Sequence, residues 1–224
     1  MDSMFTRIYI YLGLILVGSI ACSPSSHSDE QQAEARQFTR KVEKVIRKAP
    51  LSFRDSLLML FKDSLHYMGG GFSFPVGKPP LKGYYDAQPF GRNLHVGNDW
   101  NAVTGGNSDL GDPIYAIGNG LCLKAKDYKG GWGKVVCLAH AWQEGDSSLL
   151  VMSLYAHCDS MEVKEGDWVK KREQIATIGN AGGIYYAHLH LEIRDSLELP
   201  LGGGYATQTA GYLDPTSFIR GHQK

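Results

Sequence analysis

The chain has 224 residues, with 23 basic and 23 acidic side chains and a formal net charge of zero. Hydrophobic residues make up 43% and charged residues 21%, a composition that excludes disordered and fibrous proteins. Nucleic-acid-binding proteins carry a basic excess or a basic stripe, so the balanced charge also argues against that class. The unusual features are 27 glycines, which indicate a turn-rich β protein, and eight histidines.

The N-terminus carries an export signal. Residues 8–21 are apolar or small and follow Arg7, a run that is short for a bilayer-spanning helix but fits the core of a signal peptide over residues 1–21. Its end, Gly18–Cys22, precedes a polar stretch and resembles a bacterial lipoprotein signal, in which Cys22 is lipidated. The alternatives are ordinary secretion with cleavage nearby and an uncleaved anchor. We expect an exported protein of the bacterial cell envelope, anchored in a membrane by lipid and facing the periplasm or the outside.

The next part of the chain reads as a tether followed by helices. Residues 22–30 are polar, and residues 31–68 form a predicted helical segment. Its first helix covers residues 31–48 and has a narrow apolar stripe. Its second helix starts after Ser52 as N-cap and runs to about Tyr67, with a wide apolar face. That face consists of Leu57, Leu58, Leu60, Phe61 and Leu65.

From residue 69 to residue 221 the sequence predicts a mainly β domain. Short β-type runs alternate with Gly and Pro turns, and no long helical period occurs. A doubly wound parallel sheet is therefore excluded, because it needs crossover helices, and an antiparallel sheet is expected. The predicted strands are residues 113–117, 120–125, 134–141, 149–157, 174–178 and 188–194.

The last predicted strand carries two histidines on one face. Side chains alternate across a strand, so His188, His190 and Glu192 share one face and three aliphatic residues share the other. The two imidazoles are then roughly 7 Å apart, twice the rise per residue. They can serve one metal together, or one can bind a metal while the other does proton chemistry.

A second candidate pair is His95 and Asp99. These two side chains converge if the chain turns between them, which Gly97 and Asn98 make easy. An imidazole nitrogen and a carboxylate oxygen are both good zinc donors. Two histidines and one carboxylate make a zinc site with an open fourth position.

A third candidate lies at the end of the strand before His157. Strand alternation places Tyr155 and His157 on one face and Cys158 on the other. A Cys158 nucleophile with His157 as its base is therefore excluded. Tyr155 could assist an oxyanion, but a buried packing role is expected.

Three motifs in this order resemble those of the lysostaphin-like (LytM-type) zinc metallopeptidases. They are His95-x-x-x-Asp99, Tyr155-Ala-His157 and His188-x-His190. The resemblance covers roughly residues 72–219. It is carried by five segments, His95–Ala102, Gly111–Ala116, Gly130–Val136, Val163–Lys170 and His188–Glu192.

This resemblance implies one Zn²⁺ held by His95, Asp99 and His190, with His157 and His188 as the catalytic histidines beside it. It also implies a zinc endopeptidase that cleaves cross-links or stem peptides of bacterial peptidoglycan. One alternative is a non-catalytic wall-binding or amidase-activating module of the same fold. Another is a secreted peptidase acting on glycine-rich proteins. The five intact residues argue against a degenerate, non-catalytic member.

The sequence departs from the family pattern at three places. Gly183–Ala187 replaces a Ser-Thr-Gly stretch and should edge the cleft. Arg172 stands where a turn glycine is common, and Cys158 stands where an aliphatic residue is frequent. Cys122 and Cys137 could form a disulfide, or each could be a small buried hydrophobe. The remaining histidines are expected to have no catalytic role, with two of them solvated at the ends of the chain. They are His27, His66, His140 and His222.

Overall fold

Residues 51–223 are described in a computed structural model of the protein, and from Ser52 onward they belong to one compact unit. Within that part of the chain, neither helix is long and apolar enough to cross a membrane. Several expectations concern residues outside the described range. They are the signal peptide 1–21, lipidation of Cys22, the tether 22–30 and the first helix, 31–48.

The first described helix, α1, spans Phe53–Asp63 and begins at the predicted cap. The Ser52 hydroxyl accepts a hydrogen bond from the Asp55 backbone N–H, which satisfies one of the free donors of the first turn. Phe61 is fully buried against the ring of Trp168, with ring centroids 5.0 Å apart. The helix ends at Asp63, earlier than predicted.

After α1, a 3-10 turn covers Leu65–Tyr67. Leu65 is 66% exposed there, so the prediction that it belongs to a buried helical face is wrong. The ring of Tyr67 stacks on that of Trp168, and Lys170 Nζ lies 3.8 Å from the centroid of the Tyr67 ring. The turn is therefore fixed by aromatic contacts of the sheet domain.

Ten strands form one antiparallel sheet, as the sequence predicts. The strands are β1 Tyr84–Gln88, β2 Asn98–Ala102, β3 Pro113–Tyr115, β4 Gly120–Asp127, β5 Lys134–Glu144, β6 Ser147–Met161, β7 Trp168–Val169, β8 Gln174–Ile178, β9 Leu189–Arg194 and β10 Tyr212–Leu213. The order along the main path is β1-β2-β9-β6-β5-β4-β7, with β10 beside β9 and β8 linking β3 to β6. A short helix, α2, spans Pro215–Gly221 at the end.

The sheet is apolar on both faces. On one face, the aliphatic side of β9 packs with Phe72, Phe74, Trp100 and Phe218 in the larger core. On the other face, a smaller core is covered by partly buried Leu197 and Leu201, which follow β9. The smaller core consists of Val135, Cys137, Met152, Leu154 and Ala156. The opposite side of β9 lies under the chain that follows it.

The regular alternation of β6 breaks at His157. Tyr155 and Cys158 both pack in the larger core, which strict alternation forbids for residues three apart. His157 has a φ of +61°, and the pairing of β5 with β6 shifts register just before it. The prediction that Tyr155 and His157 share a face is therefore wrong. The Tyr155 hydroxyl instead accepts hydrogen bonds from the backbone N–H of Ile117 and from the hydroxyl of Ser153.

The three cysteines of the described chain are free and buried. Cys122 lies in the larger core and Cys137 in the smaller one, on opposite faces of the sheet. Burial raises the pKa of the Cys122, Cys137 and Cys158 thiols to about 12. Of the two readings of Cys122 and Cys137, the structure supports two small buried hydrophobes.

The structure changes the expectation for His222 and agrees with the one for Arg172. His222 is half-buried rather than solvated, with its ring stacked 4.4 Å from that of Phe218. Arg172 has a φ of +69°, the left-handed conformation that favours glycine. Its guanidinium donates to the carbonyl oxygens of Phe74 and Gly77, both at 2.6 Å, and thereby offsets the strain.

His140 is fully buried next to Phe72 of the larger core, and its burial makes the protein sensitive to acid. One ring nitrogen lies 2.9 Å from the Asn119 carbonyl and the other 2.7 Å from the Ser153 hydroxyl. Burial lowers its pKa to about 4. The unfolded chain binds a proton at a higher pH than the folded one, so stability is lost as the pH falls from about 6.5 toward about 4.

We expect the free energy of unfolding to fall by on the order of 3 kcal/mol over this whole pH range because of His140. The His140→Gln variant should not show this contribution. Urea unfolding of chelator-treated wild type and variant at several pH values measures it. The comparison cancels the other titrating groups, since both proteins share them. Parallel pH profiles for the two proteins would contradict the assignment.

Candidate metal centre and active site

His95 lies just before β2, and the chain bends at Val96 and Gly97 as it enters that strand. Asn98, predicted as a turn residue, is instead the first residue of β2 and is fully buried. The bend brings His95 Nε2 to 3.3 Å from Asp99 Oδ1. The predicted convergence of these two side chains is therefore present.

His190 comes from β9, which pairs directly with β2. Asp99 and His190 are register partners, so their side chains project side by side from the same face of the sheet. His190 Nδ1 lies 2.9 Å from Asp99 Oδ1 and 3.0 Å from His95 Nε2. The sheet pairing thus assembles the three predicted zinc ligands at one point.

The three donor atoms fit a tetrahedral metal ion. They are 2.9, 3.0 and 3.3 Å apart, and Zn–N bonds of about 2.0–2.1 Å at tetrahedral angles place donors about 3.3 Å apart. His95, Asp99 and His190 are the only cluster of this kind within residues 51–223. Nitrogen and carboxylate donors suit zinc.

The hydrogen bonds behind the rings fix which nitrogens face the centre. His95 Nδ1 lies 3.0 Å from the Gln88 carbonyl, and His190 Nε2 lies 3.0 Å from Glu192 Oε1. Carbonyl and carboxylate oxygens only accept, so these nitrogens donate, and a neutral ring then turns a lone pair inward from its other nitrogen. Three acceptors that converge with no donor between them require a positive charge at the centre.

The pKa shifts of His190 and Asp99 agree with this requirement. Burial lowers the pKa of His190, but the hydrogen bonds to Asp99 and Glu192 outweigh burial and raise it to about 9. Burial raises the pKa of Asp99, but hydrogen bonds to His190 and His95 outweigh it and hold the pKa well below its usual range. A proton supplies the positive charge when no metal is bound.

His157 stands beside these three residues without joining them. Its left-handed backbone turns the ring toward the site, where the ring centroid lies 4.7 Å from that of His188 and 5.7 Å from that of His190. Its Nδ1 is buried with no hydrogen-bond partner in the structure. Burial, and then the two neighbouring histidines, lower its pKa to about 3, so the ring is neutral near pH 7.

The second predicted catalytic residue, His188, sits just before β9. Its Nδ1 lies 2.8 Å from the Tyr186 carbonyl and therefore donates, which leaves Nε2 as an acceptor. That Nε2 lies 3.9 Å from Asp99 Oδ1. The structure thus brings all five predicted residues together, with two imidazoles beside a three-donor centre.

The site opens into a cleft of about 420 Å³. Its walls are aromatic side chains and glycine backbone, and all its lining residues lie between Gln88 and Tyr205, so α1 does not cover it. A Cβ on Gly131 would lie 2.6 Å from the Tyr185 hydroxyl, so the cleft is narrow there. The walls beyond the histidines and Asp99 are Gln88, Gly131, Trp132, Tyr185, Gly203, Gly204 and Tyr205.

A second groove of about 630 Å³ continues from the cleft past Asp99 and His188. The loop Gly183–Ala187 edges both, as the sequence predicts, and Tyr186 in it is 73% exposed. Asp99 is the only acidic residue among the residues that line the cleft and the groove, and no lysine or arginine is among them. The surface beside the metal centre is therefore suited to an uncharged ligand.

Gly97 is needed for space rather than for an unusual φ. A Cβ there would lie 2.5 Å from the Leu191 carbonyl oxygen and 2.9 Å from His190 Cε1. We expect Gly97→Ala to cost about 1–3 kcal/mol of unfolding free energy and to weaken metal binding, because it pushes β9 and His190 away. Thermal unfolding and metal titration measure the two effects. Gly221→Ala, where nothing lies within 4 Å of the new Cβ, is the control and should lose neither.

Several residues that shape the site were not predicted from the sequence. Trp132 crosses the ring of His190 at 5.6 Å and donates to the Gly202 carbonyl, and Tyr205 pairs with His95 in an isolated bridge. They come from loops, where no periodicity points to them. Glu192 was placed on the correct face, but its contact with His190 was not foreseen.

Comparisons with known proteins find one matching family profile and several similar proteins. The profile of peptidase family M23 matches residues 94–201. Lipoprotein NlpD of Yersinia enterocolitica is 38% identical over 84 residues, which are 38% of this chain and 78% of that protein. Murein hydrolase activator EnvC of Escherichia coli is 32% identical over 133 residues, 58% of this chain but 29% of that protein. The catalytic domain of lysostaphin from Staphylococcus simulans is 23% identical, with a TM-score of 0.42 over 68% of this chain and 90% of that one.

Fold and site together define an antiparallel β protein with a candidate centre for one metal ion, built from two histidines and an aspartate. The match to NlpD, which covers 78% of that protein, and the profile match to residues 94–201 identify its family. The chain belongs to peptidase family M23.

Proposed function

We propose that the protein is a zinc-dependent endopeptidase that cleaves cross-links or stem peptides of bacterial peptidoglycan. The observation that carries the proposal is the convergence of His95 Nε2, Asp99 Oδ1 and His190 Nδ1 within 3.3 Å, with the other nitrogen of each imidazole bound to an acceptor. Bound zinc would act there as a Lewis acid on the scissile carbonyl and lower the pKa of water.

Each of the two remaining histidines has a ring nitrogen available for proton transfer. His157 is neutral near pH 7 with an unpartnered Nδ1, and His188 turns its Nε2 toward the centre. One would accept a proton from water, and the other would hydrogen-bond the developing oxyanion or the leaving amine. The Tyr155 hydroxyl takes no part, because its bonds to Ile117 and Ser153 hold it in the core.

The shape and charge of the cleft favour a neutral peptide with small side chains. Trp132, Tyr185 and Tyr205 leave a slot bounded by glycine backbone, and the adjoining groove adds no cation that would pair with a carboxylate. Glycine or D-alanine bonds of peptidoglycan have these properties. The same features would accept glycine-rich proteins, so the substrate must be tested directly.

The test is incubation of zinc-loaded protein with purified peptidoglycan, followed by mass analysis of the released fragments. We expect muropeptides with a cleaved peptide bond, and no release after chelator treatment. Intact peptidoglycan after prolonged incubation with protein of confirmed zinc content would reject the endopeptidase. Glycine-rich polypeptides in parallel reactions separate the two substrate classes.

The second candidate is a non-catalytic module that binds cell wall or activates an amidase. It is favoured by the names of relatives such as EnvC, a murein hydrolase activator. An activator would increase product release by a separate amidase, and chelator would leave that effect unchanged. The complete set of three donors and two further histidines favours the endopeptidase, because a binding module has no need of them.

We also propose that the protein is an envelope lipoprotein anchored through Cys22. The supports are the sequence pattern before Cys22 and a relative described as a lipoprotein. The full chain should sediment with membranes and carry a fatty-acyl label, whereas Cys22→Ser should lose the label. Equal labelling of both proteins would contradict the anchor.

A further inference from the structure

A buried carboxylate–guanidinium pair lies directly behind the candidate metal centre. Glu192 follows His190 on the same face of β9 and is 0% exposed, and Arg194 follows Glu192 and is 1% exposed. Glu192 Oε1 lies 3.0 Å from His190 Nε2, while Oε2 lies 2.6 Å from Arg194 Nε. Burying two charges is costly, and such a pair does not by itself stabilise a fold.

Arg194 also binds the chain that forms one wall of the cleft. Its guanidinium donates to the carbonyl oxygens of Pro200 at 3.0 Å and Leu201 at 2.9 Å. The next carbonyl, of Gly202, accepts a hydrogen bond from Trp132 Nε1 at 2.9 Å. Residues 203–205 then line the cleft. One side chain thus touches both the partner of His190 and the base of the wall.

Orientation of the ring alone does not explain a carboxylate at this position. A backbone carbonyl is sufficient for the other histidine, since Gln88 O holds His95 Nδ1 at 3.0 Å. A carboxylate adds a negative charge behind the ring, which makes the imidazole a stronger donor to a metal. Its second oxygen is free to engage Arg194, which a single carbonyl behind the ring would not allow.

We propose that Glu192 and Arg194 are positioning residues that couple the metal-binding orientation of His190 to residues 199–204, the segment that leads into the cleft wall. The proposal rests on the proposed zinc site. Glu192 holds the Nε2–H of His190 so that Nδ1 faces the metal, and Arg194 fixes both Glu192 and the wall. Metal affinity and the order of the wall are therefore linked through one guanidinium.

Zinc affinity, measured by competition with a chromogenic chelator, tests the first half. We expect Glu192→Gln to weaken binding 10–100-fold, because the amide turns an N–H against the guanidinium. The double variant Glu192→Gln/Arg194→Met should recover part of that loss, since the opposing donor is gone. Arg172→Met is the control. It also removes a guanidinium that donates to two carbonyl oxygens, but these bonds do not involve His190 or Glu192, so zinc affinity should be unchanged.

Hydrogen exchange of the metal-free protein tests the second half. Arg194→Met should speed exchange in residues 199–204, and Arg172→Met should not. Arg194→Lys keeps the charge but loses the fork that reaches two carbonyls, so it serves as the milder variant if Arg194→Met fails to fold.

The outcomes separate this inference from the proposed function. Wild-type protein that binds no zinc overturns both the endopeptidase and the role of Glu192 toward a metal. Tight wild-type binding with unchanged affinity in Glu192→Gln overturns only the inference. Unchanged exchange of residues 199–204 in Arg194→Met and Arg194→Lys overturns the coupling to the wall.

Discussion

His190→Ala is expected to abolish both zinc binding and release of peptidoglycan fragments. The substitution removes the donor that lies 2.9 Å from Asp99 Oδ1 and 3.0 Å from His95 Nε2, and two ligands do not hold zinc as three do. It also leaves the buried Glu192 without its histidine partner. Elemental analysis of purified protein and muropeptide digestion measure the two losses.

His222→Ala is the matched control for this experiment. The His222 ring is also partly buried and in contact with aromatic rings. It stacks on Phe218 near the C-terminus, however, and lines neither the cleft nor the adjoining groove. It should keep zinc and activity. Retention of one zinc per chain by His190→Ala, with thermal stability unchanged, would show that the three residues are not the metal site.

Replacing His157 or His188 by glutamine should produce a different pattern, with zinc retained and turnover reduced roughly 10²–10⁴-fold, the usual contribution of acid–base catalysis. Neither ring belongs to the three-donor cluster. The buried Nδ1 of His157 has no partner to lose, so its removal should cost little stability. Turnover, zinc content and thermal unfolding together distinguish a reacting histidine from a ligand.

The control for these two variants is His66→Gln, because His66 is exposed in the turn after α1 and lines neither the cleft nor the groove. Full activity is expected. If His157→Gln or His188→Gln loses zinc as His190→Ala does, that histidine is a ligand and the assignment of roles is wrong. If turnover survives in both, the two rings are bystanders.

The parts of the fold that follow regular strand patterns were predictable from the sequence. β8 coincides with its predicted range, because it is a short run rich in isoleucine and threonine. β9 differs from its predicted range by one residue, because aliphatic and polar residues alternate in it without interruption. Four of the ten described strands were missed, namely β1, β2 and the two-residue strands β7 and β10. β1, Tyr84–Gln88, is a half-exposed edge strand without alternation, and β2, Asn98–Ala102, places an asparagine at a buried position.

The predicted site residues meet in space because β2 and β9 pair in register, which brings Asp99 beside His190. Local pattern was insufficient at His157, where a register shift and a φ of +61° reverse the expected face. Long-range contacts were also out of reach. The bond from Arg194 to Leu201 and the one from Trp132 to Gly202 depend on how loops fold back, which no periodicity encodes.

The three free thiols in the two cores give the protein a built-in reporter of unfolding. With their pKa values raised to about 12, almost no thiolate is present near neutral pH, and burial blocks access to alkylating reagents. Alkylation of Cys122, Cys137 and Cys158 should therefore proceed only through opening of the chain. Their labelling rates, read by mass spectrometry, would compare how readily the two faces of the sheet come apart, without any engineered probe.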